Sequence, residues 1–324
     1  MSDNNSASDC GSMSDNNGAN GLAARAEAVS AAAEQTRSAT EARALAGVEP
    51  IPGVAKPDPI LIVDNVSRYF GGLRAISVDH LEVQRGAITA LIGPNGAGKT
   101  TFFNVLTGFD SADSGSWRFE GVPLQSLPAY KVARLGLVRT FQLTKALMRL
   151  TALENLMLGA TGQRGERFFP ALLKPLWSGQ ERKIAERADR LLNGFSLTRM
   201  RDEFAGTLSG GQRKLLEMAR ALMVEPTMVM LDEPMAGVNP ALTQSLLGHV
   251  RELRDNGMTI VLVEHDMDVV MGISDWIVCF ADGELIAEGR PDDIRANPAV
   301  IDAYLGTSRT TENSSEPNDH EDKK

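Results

Sequence analysis

The chain switches between two hydrophobic rhythms. Short runs rich in Ile, Val and Leu at Ile60–Val66, Val78–Val83 and Ile88–Ile92 predict β-strands, and the third runs straight into a glycine-rich loop and a helical stretch. Gly115–Glu120 is a further short strand. From about Leu147 to Leu222 the apolar spacing turns helical, through ALENLMLGA, QERKIAERADRLL and RKLLEMARALM. Strand runs return at Met228–Leu231, Met258–Val263 and Trp276–Phe280, separated by helical patterns such as Pro240–Arg254. Asp282-Gly283 is a hairpin-type turn into Glu284–Ala287. Strand–helix alternation interrupted by an all-helical insertion implies an α/β fold. It has a mainly parallel sheet, an antiparallel edge from the early strands and an inserted helical subdomain.

Both ends lack this patterning. Residues 1–57 are rich in Ser, Asn, Ala and Gly, so they are expected to be a disordered tail, with weak helical tendency over Gly21–Gly47. Residues 308–324 are expected to be a second, acidic tail. The 324-residue chain carries a formal charge of −9, of which −5 lies in the two tails and −4 in residues 58–307. Such a balance argues against nucleic acid as a partner. No apolar run reaches 18 residues, so no membrane span is expected. Two cysteines, Cys10 and Cys279, support neither a disulfide framework nor a zinc site.

Three segments carry chemistry. Gly93-Pro94-Asn95-Gly96-Ala97-Gly98-Lys99-Thr100 fits the phosphate-binding pattern between a strand and a helix. Glycines let backbone N–H groups converge on phosphate oxygens, and the following helix adds its positive end. Lys99 adds a full charge, the Thr100 hydroxyl suits a magnesium ion, and Thr101 can reach a phosphate. Met228–Glu233 is an apolar strand ending in two acids. Asp232 is placed for the metal and Glu233 to polarise an attacking water. Together these features give a P-loop NTPase. Leu208-Ser209-Gly210-Gly211-Gln212 then opens another helix with a hydroxyl and two glycines, a second anion-binding start.

In this arrangement residues 60–307 resemble the ATP-binding cassette (ABC) ATPases, with a RecA-like lobe at about 58–146 and 220–307 and a helical subdomain at about 147–219. The resemblance implies that Phe70 stacks on adenine, with Tyr69 as the alternative one position away. It makes Gln142 a magnesium and water contact, His265 the group on the γ-phosphate and Glu233 the general base. It also implies that Ser209, Gly210, Gly211 and Gln212 complete the site of a second cassette in trans. Met235-Ala236-Gly237-Val238-Asn239 replaces the commoner Ser-Ala-Leu-Asp, putting the charge contacts of that loop in doubt. Asn104–Phe109, Arg139–Gln142, Thr151–Leu156, Pro234–Pro240, Val263–Met267 and Ala303–Gly306 are similar to the ATPase subunits of branched-chain amino-acid importers, the LivG type.

That likeness implies ATP and Mg²⁺ as ligands, two membrane permease subunits and a second cassette as partners, and an extracytoplasmic solute-binding protein as an indirect one. The expected location is the cytoplasmic face of the cell membrane. Urea or short-amide uptake, lipopolysaccharide export and a non-transport ABC ATPase are the alternatives. Phe168, Phe169, Leu172, Leu173, Leu176 and Trp177 form an apolar insert, read as subdomain core or as a contact with the membrane subunit.

Overall fold

The computed structural model describes residues 45–140, 147–161 and 178–304. Gln142, Leu143–Ala146, the insert from Phe168 to Trp177, and both terminal stretches, 1–44 and 305–324, lie outside the described residues. The first described stretch opens as a short 3₁₀ turn, Leu45–Gly47, followed by β1 (Pro59–Phe70), β2 (Leu73–Gln84) and β3 (Ile88–Ile92). Next come α1 (Lys99–Leu106), β4 (Ser114–Phe119), β5 (Val122–Pro123), α2 (Ala129–Arg134) and β6 (Leu137–Arg139). The helical section contains α3 (Ala152–Leu158), α4 (Ser178–Gly194) and α5 (Gly210–Ala221). The chain then returns through β7 (Met228–Asp232), α6 (Pro240–Asp255), β8 (Thr259–Val263), α7 (Met267–Ile273), β9 (Trp276–Ala281), β10 (Glu284–Gly289) and α8 (Pro291–Arg295). A helical segment, 298–304, ends the described chain.

The strands form a sheet in the order β5-β4-β1-β2-β10-β9-β3-β8-β7-β6. Its β9-β3-β8-β7-β6 half is parallel throughout. Strands β5-β4-β1-β2 are antiparallel and join that half through β10, which pairs with β2 at Glu284↔Ser77. The antiparallel section is larger than the sequence pattern implies. Gly71 and Gly72 both take positive φ, 53° and 89°, and so close a two-residue hairpin that carries β1 on to Phe70 and starts β2 at Leu73. Polar residues hid that extension.

Alternation within each central strand divides the core. Ile88, Ala90 and Ile92 join Leu231, Leu262 and the helices α3 to α7 on one side of the sheet. Leu91, Met230 and Val263 join Phe102, Phe103 and Trp117 on the other. The parallel strands are covered on both faces, so their ends alone remain to build a site.

Residues 45–57, read from composition as tail, pack on this sheet. Leu45 is 1% exposed, and Lys56 lies fully inside. Lys56 Nζ pairs with Glu288 Oε2 at 2.9 Å, with side-chain exposures of 1% and 0%. Glu288 also accepts from Trp276 Nε1 at 2.8 Å and from Val54 N–H at 2.9 Å, while Lys56 N–H donates to Glu82 at 2.6 Å. The carboxylate is fully partnered, which is what makes a buried charge tolerable. Burial pulls the Lys56 ammonium below its ordinary value, against the attraction of Glu288.

Candidate functional site

The phosphate loop forms where β3 leaves the sheet. The ladder ends at Ile92↔Cys279, and Gly93 follows with φ 144°. A Cβ at Gly93 would collide with the Phe280 carbonyl, and one at Gly98 (φ 94°) with that of Ala75, so both positions require glycine. Gly98 is the N-cap of α1 and no side chain caps this helix start. Lys99, the first residue of the helix, folds back so that Nζ donates to Gly93 O at 2.6 Å and Pro94 O at 2.9 Å. Burial lowers its ammonium below the ordinary value, opposed first by Glu233 and also by Asp232.

A cleft of about 480 Å³ opens over this loop, a size suited to a small-molecule ligand. Asn95 to Thr101 form its floor, while Glu233 and His265 stand at its edge. Leu73, Arg74 and Asp282 complete the wall on the hairpin side. Phe70 does not line the cleft. Its half-exposed ring lies beneath the Arg68 guanidinium, 4.7 Å from the ring centre, and Tyr69 is likewise exposed.

Glu233 follows β7 in a left-handed conformation, φ 47°, which a non-glycine residue adopts only when its surroundings hold it there. Its N–H donates to Val263 O at 3.0 Å, and Lys214 Nζ, on α5, donates to its carbonyl at 3.3 Å. Its Oε1 lies 2.6 Å from His265 Nε2. A carboxylate can only accept, so the contact is a hydrogen bond in the tautomer that carries its proton on Nε2.

Beside this pair, at the end of β8, is the buried Glu264, to which sequence reading gave no role. Its Oε1 accepts from Met235 N–H at 2.8 Å and its Oε2 from His265 N–H at 3.3 Å. One buried carboxylate thereby ties the loop after Glu233 to the strand end that presents His265. Burial raises its pKa above the ordinary carboxylate value, while those two N–H donors pull the other way.

Asp232 is held differently. Its Oδ2 accepts from Arg139 Nη2 at 2.6 Å, and Arg139 Nη1 reaches Asn104 Oδ1 at 2.5 Å, so the guanidinium bridges β7 to α1. Arg139 lies three positions before Gln142; Gln142 itself falls outside the described residues. Among the described residues no group of three or more His, Cys, Asp or Glu side chains gathers as a metal cage. The Thr100 hydroxyl lines the cleft, whereas the Asp232 carboxylate lines a separate small pocket beside Thr140 and Lys214 and already accepts from Arg139; the donor types that the sequence assigns to the metal are this hydroxyl and this carboxylate. That set fits Mg²⁺, which is commonly held by one or two protein oxygens together with substrate phosphates and water.

Ser209, Gly210, Gly211 and Gln212 do not line this cleft. Ser209 caps α5, with its Oγ accepting from Gln212 N–H at 3.2 Å and Gln212 Oε1 accepting from Ser209 N–H at 2.9 Å. Gly211 packs where a Cβ would overlap Leu242 of α6. Asn239, the departure in the neighbouring loop, caps α6 by accepting from Leu242 N–H at 2.9 Å, with Pro240 as the first helical residue. Asparagine and aspartate cap about equally well, so the exchange leaves this local role intact.

Comparison with known proteins agrees with the arrangement of loop, strand and helix. The ABC transporter family profile matches residues 76–236, and the profile of the branched-chain amino acid ATP-binding cassette transporter matches 284–309. The chain is similar to the high-affinity branched-chain amino acid transport ATP-binding protein BraF of Pseudomonas aeruginosa. The two are 44% identical over 250 residues, 76% of this chain and 98% of the relative. It is also similar to the probable branched-chain amino acid transport ATP-binding protein LivG of Archaeoglobus fulgidus, 44% identical over 247 residues, 76% of this chain and 95% of the relative. Among solved structures, the ADP conformation of an ATP-binding cassette of an ABC transporter superposes with a TM-score of 0.68 at 38% identity. That match covers 76% of this chain and 99% of the other.

Proposed function

The chain belongs to the ABC transporter family of ATP-binding cassettes, and from that premise we propose that it is the ATP-hydrolysing subunit of an importer of branched-chain amino acids. The observation that carries the reading is the placement of the Glu233–His265 pair, 2.6 Å apart, at the edge of the phosphate-loop cleft. The similarity of residues 284–309 to the branched-chain amino acid cassette profile supports the choice of solute.

In this reading the amides of Asn95 to Thr101 and the positive end of α1 bind the phosphates, and Lys99 turns from the loop carbonyls to the β- and γ-phosphates. Phe70 or Tyr69 stacks on adenine after moving toward the cleft. Glu233 accepts the proton of the attacking water, and His265, donating from Nε2, steadies the γ-phosphate. Thr100 and Asp232, with Gln142, would hold Mg²⁺, which when bound supplies positive charge against the phosphates. Rate enhancement is then mainly positioning and fixed charge.

Ser209 to Gln212 lie away from the cleft of their own chain, which favours a site completed by a second cassette in trans. ATP bridging the two favours the closed pair, and its hydrolysis removes the bridge. Among the described residues no helix is long and apolar enough to cross a membrane. As an ATP-binding subunit the chain therefore works against separate permease subunits, on the cytoplasmic face, with a solute-binding protein acting from the other side.

Uptake of labelled leucine into cells carrying the chain with its permeases tests the reading. ATP-dependent uptake that is abolished by Glu233→Gln is expected. Uptake of urea or short amides with no response to leucine would transfer the solute assignment, and copurification with lipopolysaccharide-export proteins or with ribosomes would overturn the importer reading.

A further inference from the structure

The residue that opens the phosphate loop is held from both sides. Gly93 is the first residue past the β3 ladder, whose last pair is Ile92↔Cys279, so its N–H can no longer be satisfied by a continuing strand. That N–H donates to Tyr304 Oη at 2.9 Å, across 211 positions of sequence. The carbonyl of the same residue accepts from Lys99 Nζ at 2.6 Å. On its β9 side the Phe280 carbonyl fills the space that a Cβ at this position would take.

We infer that Tyr304 is a positioning residue of the nucleotide site, fixing through its hydroxyl the N–H of Gly93, the residue on whose carbonyl Lys99 rests, and so coupling the helical segment 298–304 to nucleotide affinity. The inference rests on the function proposed above, since it names the regulation of that same site. Tyr304 touches no expected reacting atom and acts through Gly93. Burial raises the phenol above its ordinary value, so the hydroxyl is neutral and able to accept at working pH. The neighbouring Cys279 thiol, pushed up by burial to about 12, is neutral as well. The segment responsible, 298–304, falls within the stretch matched by the branched-chain amino acid cassette profile. It supplies an acceptor that the loop itself lacks.

The test uses the full chain and Tyr304→Phe, which removes one oxygen and retains the ring. Equilibrium titration with a fluorescent ATP analogue is expected to show a Kd raised by about tenfold, the size of one net hydrogen bond. KM for ATP should rise in parallel, with kcat at saturation within about twofold of wild type. Hydrogen exchange at the Gly93 amide should accelerate while the other strands of the sheet stay protected. Unchanged nucleotide affinity and unchanged Gly93 exchange would overturn the inference, as would a fall in thermal midpoint with affinity unchanged. Tyr304→Ala, which also removes the ring, separates packing from positioning: a Kd raised beyond that of Tyr304→Phe only as far as the extra loss of stability requires is expected. Wild-type protein that binds no ATP would overturn the proposed function and this inference with it.

Discussion

Two helix starts in this molecule look alike in sequence and are built in opposite ways. Both α1 and α5 open on glycine-rich turns suited to anions. At α1 the N-cap is Gly98, no side chain covers the helix end, and the nearest cation folds back onto loop carbonyls. At α5 Ser209 and Gln212 cap one another reciprocally, and Arg213 Nη1 donates to Leu208 O at 2.7 Å. The first start is incomplete without a ligand. The second satisfies itself and must exchange internal hydrogen bonds for external ones before it can hold anything. A site made of one half of each kind binds nucleotide on a single chain and closes only when a partner arrives.

Substitutions can break that contrast. The largest effect is expected at Glu233, between the two starts and touched by Lys214 of α5. Glu233→Gln should lower ATP turnover by about 10²- to 10⁴-fold while leaving nucleotide binding intact, and should accumulate a closed pair of chains visible by size-exclusion chromatography with ATP. Full hydrolysis by this variant would remove Glu233 as the base. Next is Lys99→Ala, which takes the charge from the ligand-dependent start. ATP affinity should fall by about 10²-fold, measured by calorimetry, with little change in the melting temperature of the nucleotide-free chain.

Ser209→Ala should do the reverse. Loss of the cap costs about 1 kcal/mol, a fall of about 2–4 °C in melting temperature, with single-chain ATP affinity unchanged and paired turnover reduced. A loss of single-chain affinity would show that the two starts are not independent.

The smallest effect concerns Glu264. Its pKa is raised in the folded state, so the folded chain holds this proton more tightly than the unfolded one. The resulting stabilisation is complete below the ordinary carboxylate value of about 4.3 and is lost as pH rises through the raised value. Glu264→Gln removes that dependence and one of the two acceptors. Urea titrations across this window should give a stability curve flatter in pH for the variant, alongside turnover reduced by about tenfold through the lost tie to His265 or Met235.

How legible these parts are in the sequence follows from how local they are. Gly93–Thr101 and Ser209–Gln212 each carry their geometry in one short stretch, because glycine positions and a capping residue report directly on backbone shape. The hydrophobic runs likewise mark the central strands, each buried on both faces. Contacts between distant positions have no such signature. Arg139 with Asp232, Glu264 with Met235, and Gly93 with Tyr304 come together only through the strand order β3-β8-β7-β6 and the returning helical segment. Phe70 lies between these cases: its likeness to the adenine-stacking aromatic of the family is readable, whereas the Arg68 guanidinium over its ring is not. The Gly71-Gly72 turn was in plain view, but the polar residues around it masked the length of the hairpin.

Lys56 has a bearing on how the molecule can be cut. Composition suggests trimming the chain at about residue 57 to obtain a compact catalytic fragment. Such a fragment would leave Glu288, 0% exposed, with the Trp276 indole as its remaining side-chain donor and its counter-charge gone. An uncompensated buried carboxylate typically costs about 3–5 kcal/mol, a large share of what keeps a domain folded. The smallest version suited to expression or crystallisation therefore starts upstream of Leu45, and affinity tags belong on the far side of that residue.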